Sequence, residues 1–196
     1  MPTVISFSGT HSTGKTTAFH EAAAALKRMH PNLRIGAVNE LAERCPLKTL
    51  SAQNSSIDLN GQRWMFSAQI CAELEAIDKY DIIITDRTVI DMIAYTIVGG
   101  FAPVARGMLK MVETHVGIYD NIFFMRASPR LKVVDDGFRD TNEVLRLKVE
   151  KVLLSLYQKM GCRLDVWQGE ESLKNMFRKP VFQETNFSML PQVKAI

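Results

Sequence analysis

The chain has 196 residues, of which 46% are hydrophobic and 23% charged, a balance that fits one globular domain and excludes a disordered chain. Its net charge of +3 is too small to argue for nucleic acid or an anionic membrane as partner. Cys45, Cys71 and Cys162 form no C-x-x-C pair, so neither a zinc site nor a disulfide framework is indicated. No apolar run reaches the roughly 18 residues that span a bilayer, and no secretory pattern opens the chain. The expected location is the cytoplasm, with reduced thiols.

In chain order, Val4–Ser8 is a short, β-branched run stopped by Gly9 and predicts a buried strand. An alanine-rich helix is predicted from about Lys15 to Met29, ending before Pro31. A second strand is predicted over Arg34–Asn39, then a loop through about residue 60. A long helix follows over 61–79, with Phe66, Ile70, Leu74 and Ile77 as its apolar stripe. Ile82–Thr85 is the clearest buried strand. Helices are predicted over 88–97 and 102–116, the second opened by Pro103, and a fourth strand over Asn121–Met125. The segment 126–140 is polar. A helix over 141–160 carries Leu145, Val149, Val152, Leu156 and Met160, with Asp140 and Glu143 spaced as a capping box. Leu164–Trp167 and 170–177 complete the pattern as a fifth strand and a last helix.

Strands alternating with helices predict an α/β fold: a parallel, five-stranded sheet with helices on both faces, ligands binding at the carboxyl ends of the strands. Residues 1–177 form the expected domain, with a lid at about 126–140 and a tail at 178–196.

The first strand runs into Gly9-Thr10-His11-Ser12-Thr13-Gly14-Lys15-Thr16, followed by Thr17. This is G-x-x-x-x-G-K-[ST], the Walker A motif, in its required strand–loop–helix context. The glycines permit backbone angles and approaches that a Cβ would block. The loop amides form an anion nest at a helix N-terminus. Lys15 reaches the β- and γ-phosphates of ATP, and the Thr16 hydroxyl is placed to ligate Mg²⁺. His11 sits at a free position of the motif and is expected at the pocket rim.

Asp86 ends an apolar strand, the Walker B pattern of a carboxylate that orients Mg²⁺. Arg87 beside it could clamp phosphate in a bidentate manner, or pair with Asp86 or Asp91. Glu40 ends the second strand, where a carboxylate could accept a proton from an acceptor hydroxyl, with Arg44 one turn on. Gln62, Gln69 and Glu73 stack on one face of the long helix and could line a substrate cleft or form a solvated flank. Arg126, Arg130, Lys132 and Arg139, with Gly137 as a hinge, could form a lid that neutralises developing charge.

Taken in order, G-T-H-S-T-G-K-T, Glu40, Gln62-x-Trp64 with Gln69 and Glu73, Asp86-Arg87, and Asp135-Asp136-Gly137-x-Arg139 resemble the P-loop ATPase/kinase family related to the ribosylnicotinamide kinase domain of the bacterial NAD-biosynthesis regulator. More distantly they are similar to deoxynucleoside and thymidylate kinases. The resemblance covers about residues 3–160. It implies a P-loop NTPase three-layer sandwich, with Glu40 and Arg87 on the acceptor side, Arg139 in the lid and the 62–73 ladder lining the cleft. Many nucleoside kinases show Arg-Ser or Arg-Tyr after the aspartate, where this chain has Arg87-Thr88, which leaves the acceptor open.

The expected activity is transfer of phosphate from ATP, with Mg²⁺, to a small acceptor: a nucleoside, a nucleotide or nicotinamide riboside. The alternative is an ATPase or an ATP-gated regulatory module. A GTPase is disfavoured because no Asn-Lys-x-Asp occurs. The sequence leaves the oligomeric state open, a homodimer included.

Overall fold

The computed structural model describes residues 1–47, 57–127 and 143–178. Five parallel strands form one sheet: β1 (Thr3–Ser8), β2 (Ile35–Val38), β3 (Ile82–Asp86), β4 (Asn121–Phe124) and β5 (Leu164–Asp165), in the spatial order β2-β3-β1-β4-β5. The first strand in sequence is therefore central. Ile5 sits level with Ile84 of β3 on one side and Asn121 of β4 on the other. The six described helices are α1 (Lys15–Met29), α2 (Leu59–Ile77), α3 (Val89–Val98), α4 (Ala102–Val112), α5 (Glu143–Lys159) and α6 (Glu170–Phe177). Short 3₁₀ turns occupy Ala42–Arg44 and His115–Ile118.

The alternation of side chains along each strand sorts the core into two layers. Ile5, Phe7, Ile82, Ile84 and Phe123 face α1 and α6, meeting Phe19, Leu26, Leu173 and Met176. Val4 and Ile83 face the opposite way, against Ala76 of α2. Ile122 and Phe124 pack on that same side, against α3, α4 and α5. Both faces are covered, which is why the central strands read as nearly continuous apolar runs.

Element starts follow local chemistry. Asp58 caps α2 by accepting from Gly61 N at 2.5 Å, so the helix begins two residues before the predicted start. Thr88 and Asp91 form a reciprocal capping box at α3. Pro103 lies in the first turn of α4. The predicted 102–116 helix instead ends at Val112 and gives way to the 3₁₀ turn. The fifth strand is shorter than its predicted span: Val166 turns outward, while Trp167 packs edge-on against Phe7 and Phe123. The capping box expected at Asp140 lies outside the described residues, as do the lid positions Arg130, Lys132, Gly137 and Arg139 and most of the tail.

Of the apolar stripe expected on α2, Phe66 is buried and Ile70 and Ile77 pack against the core, while Leu74 departs from it. Leu74 is 52% exposed, and the most deeply buried positions are Gly61, Gln62, Phe66, Gln69, Glu73 and Ala76. Gln69 and Glu73 go inward beside the apolar positions, because hydrogen-bond partners for Gln69 Nε2 and the Glu73 carboxylate await them there. No described helix is long and apolar enough to cross a membrane.

Candidate functional site

The carboxyl end of β1 opens into the loop Gly9–Thr16, and α1 begins at Lys15. Gly9 has φ +143°, and a Cβ there would lie 2.3 Å from the Met125 carbonyl oxygen. Gly14, the residue before α1, has φ +83°. Ser12 adopts φ +55°, and its buried hydroxyl has no protein partner among the described residues. A loop with alternating backbone handedness at the foot of a helix turns successive N–H groups inward, the arrangement that binds anions. Thr10 and Thr13 are buried and Thr17 is exposed on the first turn of α1. Thr13 Oγ1 donates to Thr10 O at 3.0 Å, bracing the loop from within.

Lys15 is buried and folds back over this loop, its Nζ donating to Thr10 O at 2.5 Å and to Thr13 Oγ1 at 3.4 Å. Burial lowers its pKa to about 8, helped by the charge of Arg87 and opposed by Glu40, Asp91 and Asp86. A polyphosphate would replace the carbonyl as partner and restore a full counter-charge.

Thr16 Oγ1 donates to Asp86 Oδ2 at 2.7 Å, joining the two residues expected to hold a metal. Asp86 is buried and its Oδ1 has no hydrogen-bond partner among the described residues. Burial raises its pKa, against the lowering effect of Arg87. An orphaned carboxylate oxygen beside a hydroxyl is a hard-oxygen donor set that suits Mg²⁺; a divalent cation would satisfy the oxygen and offset the burial of its charge.

Arg87 follows with φ +93°, a conformation that is uncommon for a residue with a Cβ and stores strain. Its N–H donates to Phe7 O at 2.9 Å. Its carbonyl accepts from Thr85 Oγ1 at 2.8 Å and Gln69 Nε2 at 3.3 Å. The guanidinium meets Glu40 Oε1 through Nε at 2.7 Å and Nη2 at 2.6 Å. It also lies 3.8 Å from Asp91 and over the Tyr95 ring at 5.8 Å. Burial works against its charge, but Glu40, Tyr95, Asp91 and Asp86 outweigh it and keep the guanidinium ionised. The sequence-predicted residues Lys15, Thr16, Glu40, Asp86 and Arg87 therefore meet at one strand-end crevice.

Other expected residues lie elsewhere. Arg44 is exposed on its 3₁₀ turn, and Arg126 is exposed after β4. His11, expected at the rim, is buried and hydrogen-bonded to Tyr95. Gln62 is buried, with Oε1 unpartnered among the described residues. Gln69 and Glu73 form neither a solvated flank nor an open wall. Gln69 Nε2 bridges Glu73 Oε1 at 2.8 Å and the Arg87 carbonyl. Glu73 also accepts from Tyr119 at 2.9 and 3.0 Å and meets His115 Nε2 at 2.7 Å. Tyr119 Oη in turn accepts Val89 N at 3.0 Å. The cluster braces the backbone on both sides of Thr88.

Asp91 has a central place that the sequence reading did not give it. It is fully buried, and takes Ser8 Oγ at 2.9 Å, Gly9 N at 3.2 Å, Thr88 N at 3.0 Å and Thr88 Oγ1 at 2.9 Å. Tyr157 Oη, from α5, lies 2.7 Å from both Ser8 Oγ and Thr88 Oγ1. Thr88-x-x-Asp91 directly after Asp86-Arg87 was the available signal, a capping-box spacing at the mouth of a strand.

The family model described as AAA domain matches residues 4–171. No curated protein matches the chain at a significant level. Among solved structures, the crystal structure of thymidylate kinase from Ehrlichia chaffeensis is similar in fold, with a TM-score of 0.59 and 20% identity over 84% of this chain and 86% of that one. The parallel sheet, the loop at its central strand and a family match spanning most of the sequence agree: the chain belongs to the AAA domain family and has the P-loop NTPase fold.

Proposed function

We propose that this protein is an ATP- and Mg²⁺-dependent phosphotransferase acting on a small acceptor of the nucleoside, nucleotide or nicotinamide riboside class. The observation that carries the reading is the loop Gly9–Thr16, with buried Lys15 folded over it and Thr16 bonded to the half-satisfied Asp86. In this reading the loop amides of Thr13, Gly14, Lys15, Thr16 and Thr17, with the Ser12 hydroxyl, bind the phosphates, and Lys15 neutralises the β- and γ-oxygens. Thr16 and Asp86 hold Mg²⁺, which supplies charge neutralisation on the transferring phosphoryl group. Arg87 lies on the acceptor side, anchored by Glu40, and positions an anionic or hydroxylic acceptor in line with the γ-phosphate. Gln62, whose buried Oε1 is unpartnered among the described residues, and the exposed Arg44 are assigned to the acceptor in this reading.

Residues 1–177 act as one nucleotide-binding unit, 126–140 serve as a lid carrying Arg139, and 178–196 are a tail. The fold shared with a thymidylate kinase supports a nucleotide-kinase type of chemistry. The net charge of +3 offers no support for nucleic acid as a partner, and three widely spaced cysteines fit reduced thiols in a cytoplasmic setting.

One observation favours a second reading, an ATPase or ATP-gated module with no small acceptor. Glu40 is held by two nitrogens of Arg87, so its carboxylate is engaged rather than poised to take an acceptor's proton.

ATP turnover by the purified chain, with and without a panel of nucleosides, nucleotides and nicotinamide riboside, separates the two. Stimulation by one acceptor with appearance of its phosphorylated form supports the transferase. Steady hydrolysis that no acceptor alters supports the ATPase. Absence of any Mg²⁺-dependent affinity for nucleoside triphosphates refutes both.

A further inference from the structure

Helix α3 carries Asp91 and Tyr95 one turn apart, on one face. Asp91 holds Ser8 and Gly9 where β1 enters the phosphate loop. Tyr95 Oη accepts the backbone N–H of His11 at 3.0 Å and lies 3.0 Å from His11 Nδ1. The same two side chains flank Arg87: Asp91 Oδ1 is 3.8 Å from Nη1, and the Tyr95 ring lies under the guanidinium at 5.8 Å. One helical face thus touches both the start of the loop and the arginine across the crevice.

The proton arrangement at Tyr95 follows from valence. A backbone N–H can only donate, so the His11 amide uses a lone pair of the phenol oxygen. The phenol has one proton to give, and His11 Nδ1 is an acceptor 3.0 Å away; Thr10 Oγ1, 3.4 Å from the same nitrogen, is a second hydroxyl that can donate to it. Nδ1 then holds a lone pair rather than a hydrogen, and the neutral ring carries its proton on Nε2. A proton arriving at Nδ1 would break the bond from the phenol.

We infer that Tyr95 is a positioning residue that fixes His11 in the Nε2–H tautomer and joins the phosphate loop to Arg87. His11 in this state is an N–H donor at the third position of the loop and not a proton-accepting base through Nδ1. The functional half of this inference rests on the reading of Gly9–Thr16 as a phosphate site; the tautomer itself does not.

The test uses the full chain labelled with ¹⁵N in its histidine rings, the His11 signals being assigned from their loss in His11→Ala. Without nucleotide, His11 is expected to show a protonated, pyrrole-like Nε2 and a pyridine-like Nδ1. Tyr95→Phe, which keeps the ring under Arg87, is expected to mix the two tautomers. A wild-type His11 protonated at Nδ1, or a spectrum unchanged by Tyr95→Phe, overturns the inference. With Mg·ATP, Tyr95→Phe is expected to weaken binding roughly two- to ten-fold, the worth of one hydrogen bond. Combined with His11→Ala the loss should fall short of the product of the two single losses; a full product means Tyr95 does not act through His11. Because the spectra need no ligand, absence of ATP binding would sink the proposed function and leave the tautomer standing or falling by its own measurement.

Discussion

Gly9 and Gly14 occupy the same motif, yet the structure separates the costs of giving each a methyl group. At Gly9 the new Cβ would lie 2.3 Å from the Met125 carbonyl oxygen, a backbone atom. Met125 cannot swing aside freely, because its own N–H donates to Ser8 O at 2.8 Å. The φ of +143° adds strain of about 1–3 kcal/mol for a residue with a Cβ. Relieving the clash means parting β1 from β4, so Gly9→Ala should cost at least about 3 kcal/mol, the upper end of that strain alone. For a chain of this size that corresponds to a fall in Tm of roughly 6–12 °C. At Gly14 nothing lies within 4 Å of the added Cβ, and the φ of +83° costs about 1–2 kcal/mol. Gly14→Ala should therefore lower Tm by roughly 2–8 °C, and always by less than Gly9→Ala. Differential scanning calorimetry on the two ligand-free variants decides the matter. A Gly9→Ala protein as stable as wild type, or less harmed than Gly14→Ala, would refute the argument from close approach.

Three further outcomes are expected. Lys15, with a pKa near 8 in the free protein, should regain its proton when phosphates bind, so at about pH 9 nucleotide binding should take up close to one proton, read by calorimetry in buffers of different ionisation heat. On the stability side the sign is opposite to that of a stabilising ion pair. Below pH 8 the burial penalty is fully present, and between 8 and the ordinary lysine value of 10.5 the unfolded chain binds more protons, so this group's contribution to stability rises with pH. Asp86→Asn should raise the Mg²⁺ concentration for half-maximal turnover by roughly ten-fold or more, while Tm stays level or rises, because burial already disfavours the charged carboxylate; an unchanged Mg²⁺ response contradicts its role. Arg87→Ala would leave Glu40 and Asp91 without their shared cation, and chemical denaturation should show a loss of about 3–5 kcal/mol; a loss under 1 kcal/mol would mean that the pairing is not structural.

The placement of the loop Gly9–Thr16 and of Asp86 was legible because the signals for it are local. A loop of fixed length between strand and helix forces Gly9, Lys15 and Thr16 into place, and an aspartate ending an apolar parallel strand faces the same crevice. The polar half of the buried α2 face was not legible. Phe66, Ile70 and Ile77 pack as their spacing predicts, but the helix leaves Leu74 outside and turns Gln69 and Glu73 inward, where the Arg87 carbonyl partners Gln69 Nε2 and Tyr119 and His115 partner Glu73. Those partners come from residues 87, 115 and 119, and periodicity within one helix carries no information about them. Tyr95 was missed for the same reason, and Asp91 was read only as a partner of Arg87, although its capping-box spacing from Thr88 was there to see. Their i, i+4 spacing is ordinary, and only the packing of α3 beside the loop gives it meaning.

The central position of β1 has a bearing on synthesis. The strand that runs into the Gly9–Thr16 loop is synthesised before both of its neighbours in the sheet, β3 and β4, and the carbonyl that closes on Gly9 belongs to Met125. Pairing between such distant segments is formed late, after a long stretch of chain is available. A nascent chain therefore exposes its Walker A motif long before it can shape it, and the loop takes its folded form with completion of the sheet rather than with emergence of the motif.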